Sequence, residues 1–173
     1  MLNFTKVKPS NTVHLEDFQK LSCLFIKEYY KNSLSDQEIS KLLSFSTVPI
    51  IRDEIKDKRY NCFLVQQEKT SIGILQTNFQ DNFLNISKLF LLKNKRKQKL
   101  GKEIIAFAID FAKENNCSNI KLSIETSNKK LQMIANKLGF KFNKTIAKYL
   151  GDMIYIYENI CLLEVHVKEY IDN

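Results

Sequence analysis

The spacing of apolar positions changes several times along the chain, and each change predicts a new element. Residues 14–30 carry apolar side chains at steps of three and four, which is the spacing of one helical face. Residues 60–67, 71–79 and 83–92 are instead short runs rich in apolar and β-branched residues, separated by the polar turns EKT and QDN. This arrangement is typical of successive strands.

The second half of the chain alternates between helix and strand. Residues 100–114 have the apolar stripe of a strong helix, residues 119–125 indicate a strand, and residues 128–138 indicate a helix that ends at Gly139, where a left-handed conformation is expected. The remaining elements are a strand at 2–8, a helical stretch from Asp36 that is interrupted near Pro49, and strands at 140–148 and 152–158. The order β-α-α-β-β-β-α-β-α-β-β predicts one mixed α/β domain over residues 1–158.

The tail at 159–173 fits two patterns. Ile160, Leu163, Val167 and Ile171 have helical spacing, whereas the β-branched residues among them favour a strand. We expect a C-terminal extension that packs on its own domain or pairs with a second subunit in a homodimer.

The charge of the chain is concentrated in one place. The 27 Lys and Arg residues exceed the 19 Asp and Glu residues, so the formal net charge is +8. A nucleic acid, an acidic membrane or a phosphorylated ligand would each suit such an excess. Six of the basic residues lie within 93–102, which contains no acid, leaving 21 basic against 19 acidic residues elsewhere. The surplus therefore favours one local phosphate site.

Several classes of protein are not favoured. The cysteines at 23, 62, 117 and 161 form no close pair, so we expect neither a disulfide framework nor a structural zinc site, and no metal. No run approaches the roughly 18 apolar residues of a membrane span, and the first residues lack the apolar core of a secretory signal. We therefore expect a cytoplasmic protein with no membrane partner.

The most informative segment is LFLLKNKRKQKLGKEI, residues 89–104. A predicted strand runs into a basic loop, and a helix begins near Leu100. Free N–H groups and the helix dipole favour an anion at such a point, so the loop is predicted to bind phosphate. Two alternatives are a solvated charge run and a nucleic-acid-binding domain. The latter would have aromatic residues interleaved with the basic ones, and none interleave.

This loop resembles the signature of the GNAT superfamily of acetyl-CoA-dependent N-acetyltransferases. The superfamily has Q/R-x-x-G-x-G/A, and residues 96–101 read RKQKLG, so the first and last positions match while Lys99 replaces the first glycine. Residues 86–91 look like the fourth strand of that superfamily. Residues 128–140 are similar to its N-x-x-A-x-x-x-Y-x-K-x-G-F segment, with Asn128 and Gly139 at matching positions.

The resemblance implies a mixed, mostly antiparallel central sheet flanked by helices, and acetyl-CoA as co-substrate. Loop amides would hold the pyrophosphate, a basic side chain would reach a phosphate, and the fourth strand would pair with the pantetheine arm in a gap beside the fifth strand. The cofactor-binding residues implied are Leu89, Phe90, Leu91, Arg96, Lys97, Gln98, Lys99, Leu100, Gly101, Lys102 and Asn128.

The reaction implied is direct attack of a primary amine on the acetyl thioester in a ternary complex. Many relatives have a carboxylate where this chain has Ser87 and a tyrosine acid where it has Ala135. We expect Tyr149 to replace the acid, and Glu125, with Glu28 as a further candidate, to act as base. The alternative is an acyl-CoA-binding sensor of the same fold that has lost catalysis.

Overall fold

Strands and helices follow one another as the apolar pattern predicts, with one additional helix. The computed structural model describes residues 2–96, 99–150 and 154–165. The elements are β1 (Asn3–Lys6), α1 (Thr12–Tyr29), α2 (Asp36–Ser44), α3 (Val48–Glu54), β2 (Tyr60–Gln67), β3 (Thr70–Gln80), β4 (Phe83–Leu91), a 3₁₀ turn (Lys93–Lys95), α4 (Leu100–Glu114), β5 (Asn119–Glu125), α5 (Lys129–Lys137), β6 (Lys141–Leu150) and β7 (Ile154–Glu164).

Local signals fix where the first helices begin. Asn11 caps α1 by accepting the His14 N–H at 3.0 Å, and Ser35 and Glu38 form a reciprocal capping box at the start of α2. Pro49 lies in the first turn of α3, where its missing N–H leaves no helical hydrogen bond unmade. The proline therefore starts a separate helix, and the predicted single helical stretch from Asp36 is two helices.

The strands form one sheet in the order β1-β2-β3-β4-β5-β7-β6. Neighbouring strands are antiparallel except β4 and β5, which are parallel. The expected mixed α/β fold with a mostly antiparallel sheet is confirmed.

The two faces of the sheet bury separate apolar cores. Helices α4 and α5 cover one face, where Ile104, Ala108 and Ala135 pack against Leu84 and Ile120. Helices α1 to α3 cover the other face, where Phe18 and Ile51 pack against Leu64 and Ile74. No helix within the described residues is long and apolar enough to cross a membrane.

The last strand is longer than predicted. It continues to Glu164, with Glu125 opposite Glu158 and Asn119 opposite Glu164 on one side, and β6 on its other side. The predicted boundary at residue 158 thus falls inside a strand that is paired on both edges, and residues 159–164 belong to the central sheet. Paired edges and β-branched residues outweigh the helical spacing here. Residues 166–173 lie outside the described part of the chain.

Candidate active site

A gap opens between β4 and β5. Their parallel pairing joins Phe83–Ile86 to residues 119–122 and ends at Ile86 and Leu122. At the same point β4 has an extra residue, because Lys88 lies opposite Gln76 while Ile86 lies opposite Thr77. This β-bulge at Ser87 bends β4 away from β5. The gap is where the superfamily resemblance placed it.

A cavity of about 360 Å³ lies in this gap. It is lined from both faces of the sheet, because Tyr29 and Tyr30 lie at the end of α1, as its last residue and its C-cap, while Leu131 comes from α5. The strands contribute residues that include Ser87 and Leu89 of β4, Lys121 and Ser123 of β5, Lys148 of β6 and Glu158 of β7. Its size suits a small organic group rather than a single water molecule.

Hydrogen-bonding groups of β4 point into the gap at alternate residues. Leu92 N–H donates to the Ile72 carbonyl at 2.9 Å, and the register places Phe90 opposite Ile74. Antiparallel alternation then directs the Phe90 backbone towards β3 and the backbones of Leu89 and Leu91 towards the gap. Of the three residues expected to pair with a ligand, only Leu89 and Leu91 have backbone groups facing it.

The close approach of β3 and β4 depends on Gly73. A Cβ added there would overlap the Phe90 carbonyl oxygen, so the backbone of one of the two strands would have to shift. The glycine therefore lets β3 hold β4 closely at the edge of the gap.

The N-terminus of α4 lies just beyond β4. Lys99 is its N-cap with φ 60 and ψ 4, the left-handed conformation that glycine adopts most easily. This is the position where the family signature has glycine. The Lys102 N–H is bonded to the Lys99 carbonyl at 2.9 Å, whereas Leu100 and Gly101 occupy first-turn positions whose amides have no partner within the helix. A Cβ on Gly101 would meet no atom within 4 Å, so open space lies beside this residue.

The basic side chains of the loop fall into two groups. Arg96 donates to Glu28 at 2.7 Å and to the Leu91 carbonyl at 2.8 Å, and its guanidinium lies 5.2 Å from the centre of the Phe90 ring. Lys93 also approaches Glu28, at 4.0 Å, and Lys95 donates to Gln67 at 3.0 Å. The predicted phosphate ligand Arg96 and the candidate base Glu28 are therefore paired with each other.

The second group comprises Lys99 and Lys102, which are exposed at the N-terminus of α4. Neither forms an ion pair with another described residue. Lys97 and Gln98, also predicted to bind the cofactor, lie outside the described residues.

Asn128 caps α5. Its Oδ1 accepts the Leu131 N–H at 3.1 Å, so of its side-chain amide only the Nδ2 group is left for a ligand. The helix cap therefore uses the side-chain oxygen of the residue to which the family motif assigns a ligand hydrogen bond.

Glu125 is buried at the end of β5. Its carboxylate accepts hydrogen bonds from the hydroxyls of Ser33 at 2.9 Å and Ser127 at 2.8 Å. Its backbone N–H donates to the Tyr29 hydroxyl at 2.8 Å. The carboxylate does not line the cavity, although its strand does. Tyr149 lies in β6 opposite Tyr155, and its side chain is outside the described part of the chain.

Sequence reasoning missed Glu158, which lines the cavity and is only 2% exposed. It lies opposite Glu125 in the sheet, and Lys148 Nζ is 3.2 Å from its Oε2. A signal was present, since Glu158 continues the alternation of Ile154, Ile156 and Ile160 on the inward side of β7.

Two tyrosines close the α1 side of the cavity. Burial raises the pKa of Tyr29 and of Tyr30 above the ordinary tyrosine value, and the carboxylates of Glu158 and Glu125 raise both further. Both hydroxyls therefore keep their protons at neutral pH and can donate hydrogen bonds into the cavity.

Comparison with known proteins agrees with this geometry. Residues 30–148 match the model of the Acetyltransferase (GNAT) domain family. The PaiA N-acetyltransferase from Thermoplasma acidophilum, in complex with coenzyme A, has a similar fold, with 16% identity, 95% of this chain and 99% of that chain covered, and a TM-score of 0.77.

Two further structures have the same fold. An N-acetyltransferase from Staphylococcus aureus Mu50 is 18% identical over 95% of this chain and 98% of its own, with a TM-score of 0.71. The spermidine N-acetyltransferase from Vibrio cholerae, in complex with CoA and spermine, is 15% identical over 95% of both chains, with a TM-score of 0.67.

Proposed function

We propose that this chain, a member of the GNAT acetyltransferase family, transfers the acetyl group of acetyl-CoA to a primary amine of a small molecule or a protein. The observation that carries the proposal is the gap between β4 and β5, which holds a cavity and is bordered by the strand that leads to the N-terminus of α4. A gap with unpaired strand groups suits an extended acyl chain, and a helix N-terminus suits the phosphates at its other end.

The residues at the N-terminus of α4 fit a pyrophosphate. The first-turn amides of Leu100 and Gly101 are donors without a helical partner, and open space lies beside Gly101. The ammonium groups of Lys99 and Lys102 add positive charge at the same place, while Arg96 stabilises the loop through Glu28. Lys97 and Gln98 remain predictions for this site.

The strand edge and α5 provide the groups for the acyl arm. The backbones of Leu89 and Leu91 face the gap and can pair with an extended amide chain, as an added strand would. The Asn128 Nδ2 group can donate to the same arm. Bound acetyl-CoA would supply an activated acetyl thioester with a thiolate as leaving group.

The cavity can handle the charges of an acyl transfer. The Leu91 N–H faces the gap and is a donor for the oxyanion that develops during attack. An acceptor ammonium, with a pKa of about 10.4, must lose a proton before it attacks. Glu158 lines the cavity, and its carboxylate can receive that proton directly or through water.

Glu125 supports this site as the cross-strand neighbour of Glu158, and it stays a candidate base. Tyr149 remains our prediction for the acid that protonates the departing thiolate. The thiol product has a pKa of about 8.5, so only modest help from an acid is needed.

Calorimetry and thiol release test the proposal together. We expect acetyl-CoA to bind the wild-type protein and to release thiol when an amine from a panel is added. Gly101→Glu should abolish both, because it adds a carboxylate beside the phosphates. Lys113→Gln, at the other end of α4, changes the net charge equally and should affect neither.

Two results would contradict the proposal. A sensor would bind acetyl-CoA without turnover on any amine, and its acetyl-CoA affinity would be the same in Tyr149→Phe. Unchanged affinity in Gly101→Glu would exclude the cofactor site itself.

A further inference from the structure

We infer that the acceptor amine also carries an anionic group, a carboxylate or a phosphate, which binds to a lysine cluster on the outer side of the cavity. The cluster consists of Lys121, Lys144 and Lys148. This inference rests on the proposed function, because it concerns the substrate of the same cavity.

The three lysines lie on one face of the sheet. Lys121 in β5 is opposite Leu162, and Lys144 and Lys148 in β6 are opposite Ile160 and Ile156. These β7 partners are at alternate positions, so they face the same side as Glu158. Lys121 and Lys148 line the cavity, and Lys144 is close enough to lower the pKa of Lys121.

The positive charge of the cluster exceeds the negative charge available in the cavity. Among the described residues that line it, Glu158 is the one acidic residue, and Lys148 already lies 3.2 Å from its carboxylate. Lys121 Nζ donates to the Gln80 side-chain oxygen at 3.3 Å and has no carboxylate within ion-pair distance among the described residues. Asp81 is near enough to favour its charged form slightly.

Lys121 is thus a half-buried ammonium with a neutral partner. Burial lowers its pKa, and Lys144 and Lys148 lower it further by repulsion. An anionic group of a ligand would remove this repulsion, whereas a polyamine would add to it. The cavity is therefore matched to a negative charge on its lysine side.

The two ends of the cavity suit different parts of one molecule. Glu158 and the hydroxyl of Tyr29 lie beside the gap, where an amine would meet the thioester. Lys121 is four residues before Glu125, which lies opposite Glu158, so the two backbone positions are about 13 Å apart along the strands. The long side chains of Lys121 and Glu158 both line the cavity and shorten this separation. An amine and an anionic group separated by a few bonds can span these positions.

Matched pairs of acceptors test the inference. We expect wild-type kcat/KM to be about tenfold higher for glycine than for glycinamide, or for O-phosphoethanolamine than for ethanolamine, since one favourable charge pair is worth roughly that factor. The first pair tests a carboxylate and the second a phosphate. Spermidine should be a poor acceptor.

Removing one charge from the cluster should abolish the preference. Lys121→Gln should raise KM for the anionic members about tenfold and leave the neutral members unchanged, with kcat retained. Lys6→Gln, an exposed lysine on β1 at the far edge of the sheet, should leave both unchanged.

Other outcomes separate the inference from the proposed function. Equal or better turnover of glycinamide, ethanolamine or spermidine, or an equal effect of Lys121→Gln on both members of a pair, would overturn the inference while transfer itself stands. If no amine is acetylated, calorimetry should measure whether the same compounds bind to the wild-type protein and to Lys121→Gln. Binding of an anionic amine that Lys121→Gln abolishes would support the inference without the activity, and absence of such binding would overturn it.

Discussion

Lys99 lowers the stability of the fold through its left-handed backbone and strengthens acetyl-CoA binding through its charge. Substitutions at this position should separate the two effects. A side chain in the left-handed conformation costs roughly 1–2 kcal/mol, and glycine relieves it while making the unfolded chain more flexible by about 0.5–1 kcal/mol. Lys99→Gly should therefore raise the free energy of unfolding by about 0.5–1 kcal/mol, or the melting temperature by about 1–4 °C. Acetyl-CoA affinity should fall about two- to fivefold, because an exposed cation is lost beside the phosphates.

Lys99→Gln is the matched control, since it removes the charge and keeps the strained backbone. Urea unfolding and calorimetry on both variants should show the same loss of affinity in each, and a gain of stability only with glycine. An unchanged affinity in both would refute the phosphate site at α4. Equal stability of the two variants would refute the argument from backbone strain.

Three further predictions concern buried parts of the protein. Gly73→Ala should lower the free energy of unfolding by about 1–3 kcal/mol, because the new methyl meets the Phe90 carbonyl, while Gly101→Ala should cause no loss; urea unfolding compares them. Because burial raises the pKa of Tyr29 and Tyr30, their stabilising contribution is present below the ordinary tyrosine pKa of about 10 and is lost above it. Phenolate absorbance should show them ionising only on unfolding, and ionisation alongside exposed tyrosines would count against their burial. Burial raises the pKa of Cys62 to about 12, so a thiol reagent at neutral pH should reach it only in the unfolded protein; rapid labelling of native Cys62 would contradict this.

Much of the fold could be predicted because, within a single segment, the period of the apolar residues and the residue composition favour the same type of element. The strands at residues 60–67 and 119–125 have the predicted bounds, and the helix at 100–114 does as well. Gly139 has φ 95, which confirms the left-handed position after α5. In each of these segments the apolar spacing and the residues at its ends favour the same element.

The end of β7 could not be predicted from local pattern. Its apolar residues satisfy helical and strand spacing equally, and the choice is made by pairing with β5 and β6, which are distant in sequence. Such pairing depends on the tertiary structure, so the spacing of apolar residues within one segment cannot predict it.

The sequence indicated where the gap and the helix N-terminus lie, but not which charged side chains meet there. The gap beside β4 and the start of α4 at Leu100 lie where the sequence indicated them. The pairing of Arg96 with Glu28 and the juxtaposition of Glu158 with Lys148 join residues far apart in sequence. Only the folded sheet brings such charges together, so a linear motif does not reveal which of them remain available to a ligand.

Mass spectrometry of the acceptor tests the central claim most directly. After incubation of the wild-type protein with acetyl-CoA and O-phosphoethanolamine, we predict a product that is heavier by one acetyl group attached through an amide at nitrogen. The product should be absent with Gly101→Glu and present with Lys113→Gln. Acetyl-CoA that stays intact, or that is only hydrolysed while the glycine, glycinamide, ethanolamine and O-phosphoethanolamine acceptors are all recovered unchanged, would contradict acetyl transfer to an amine.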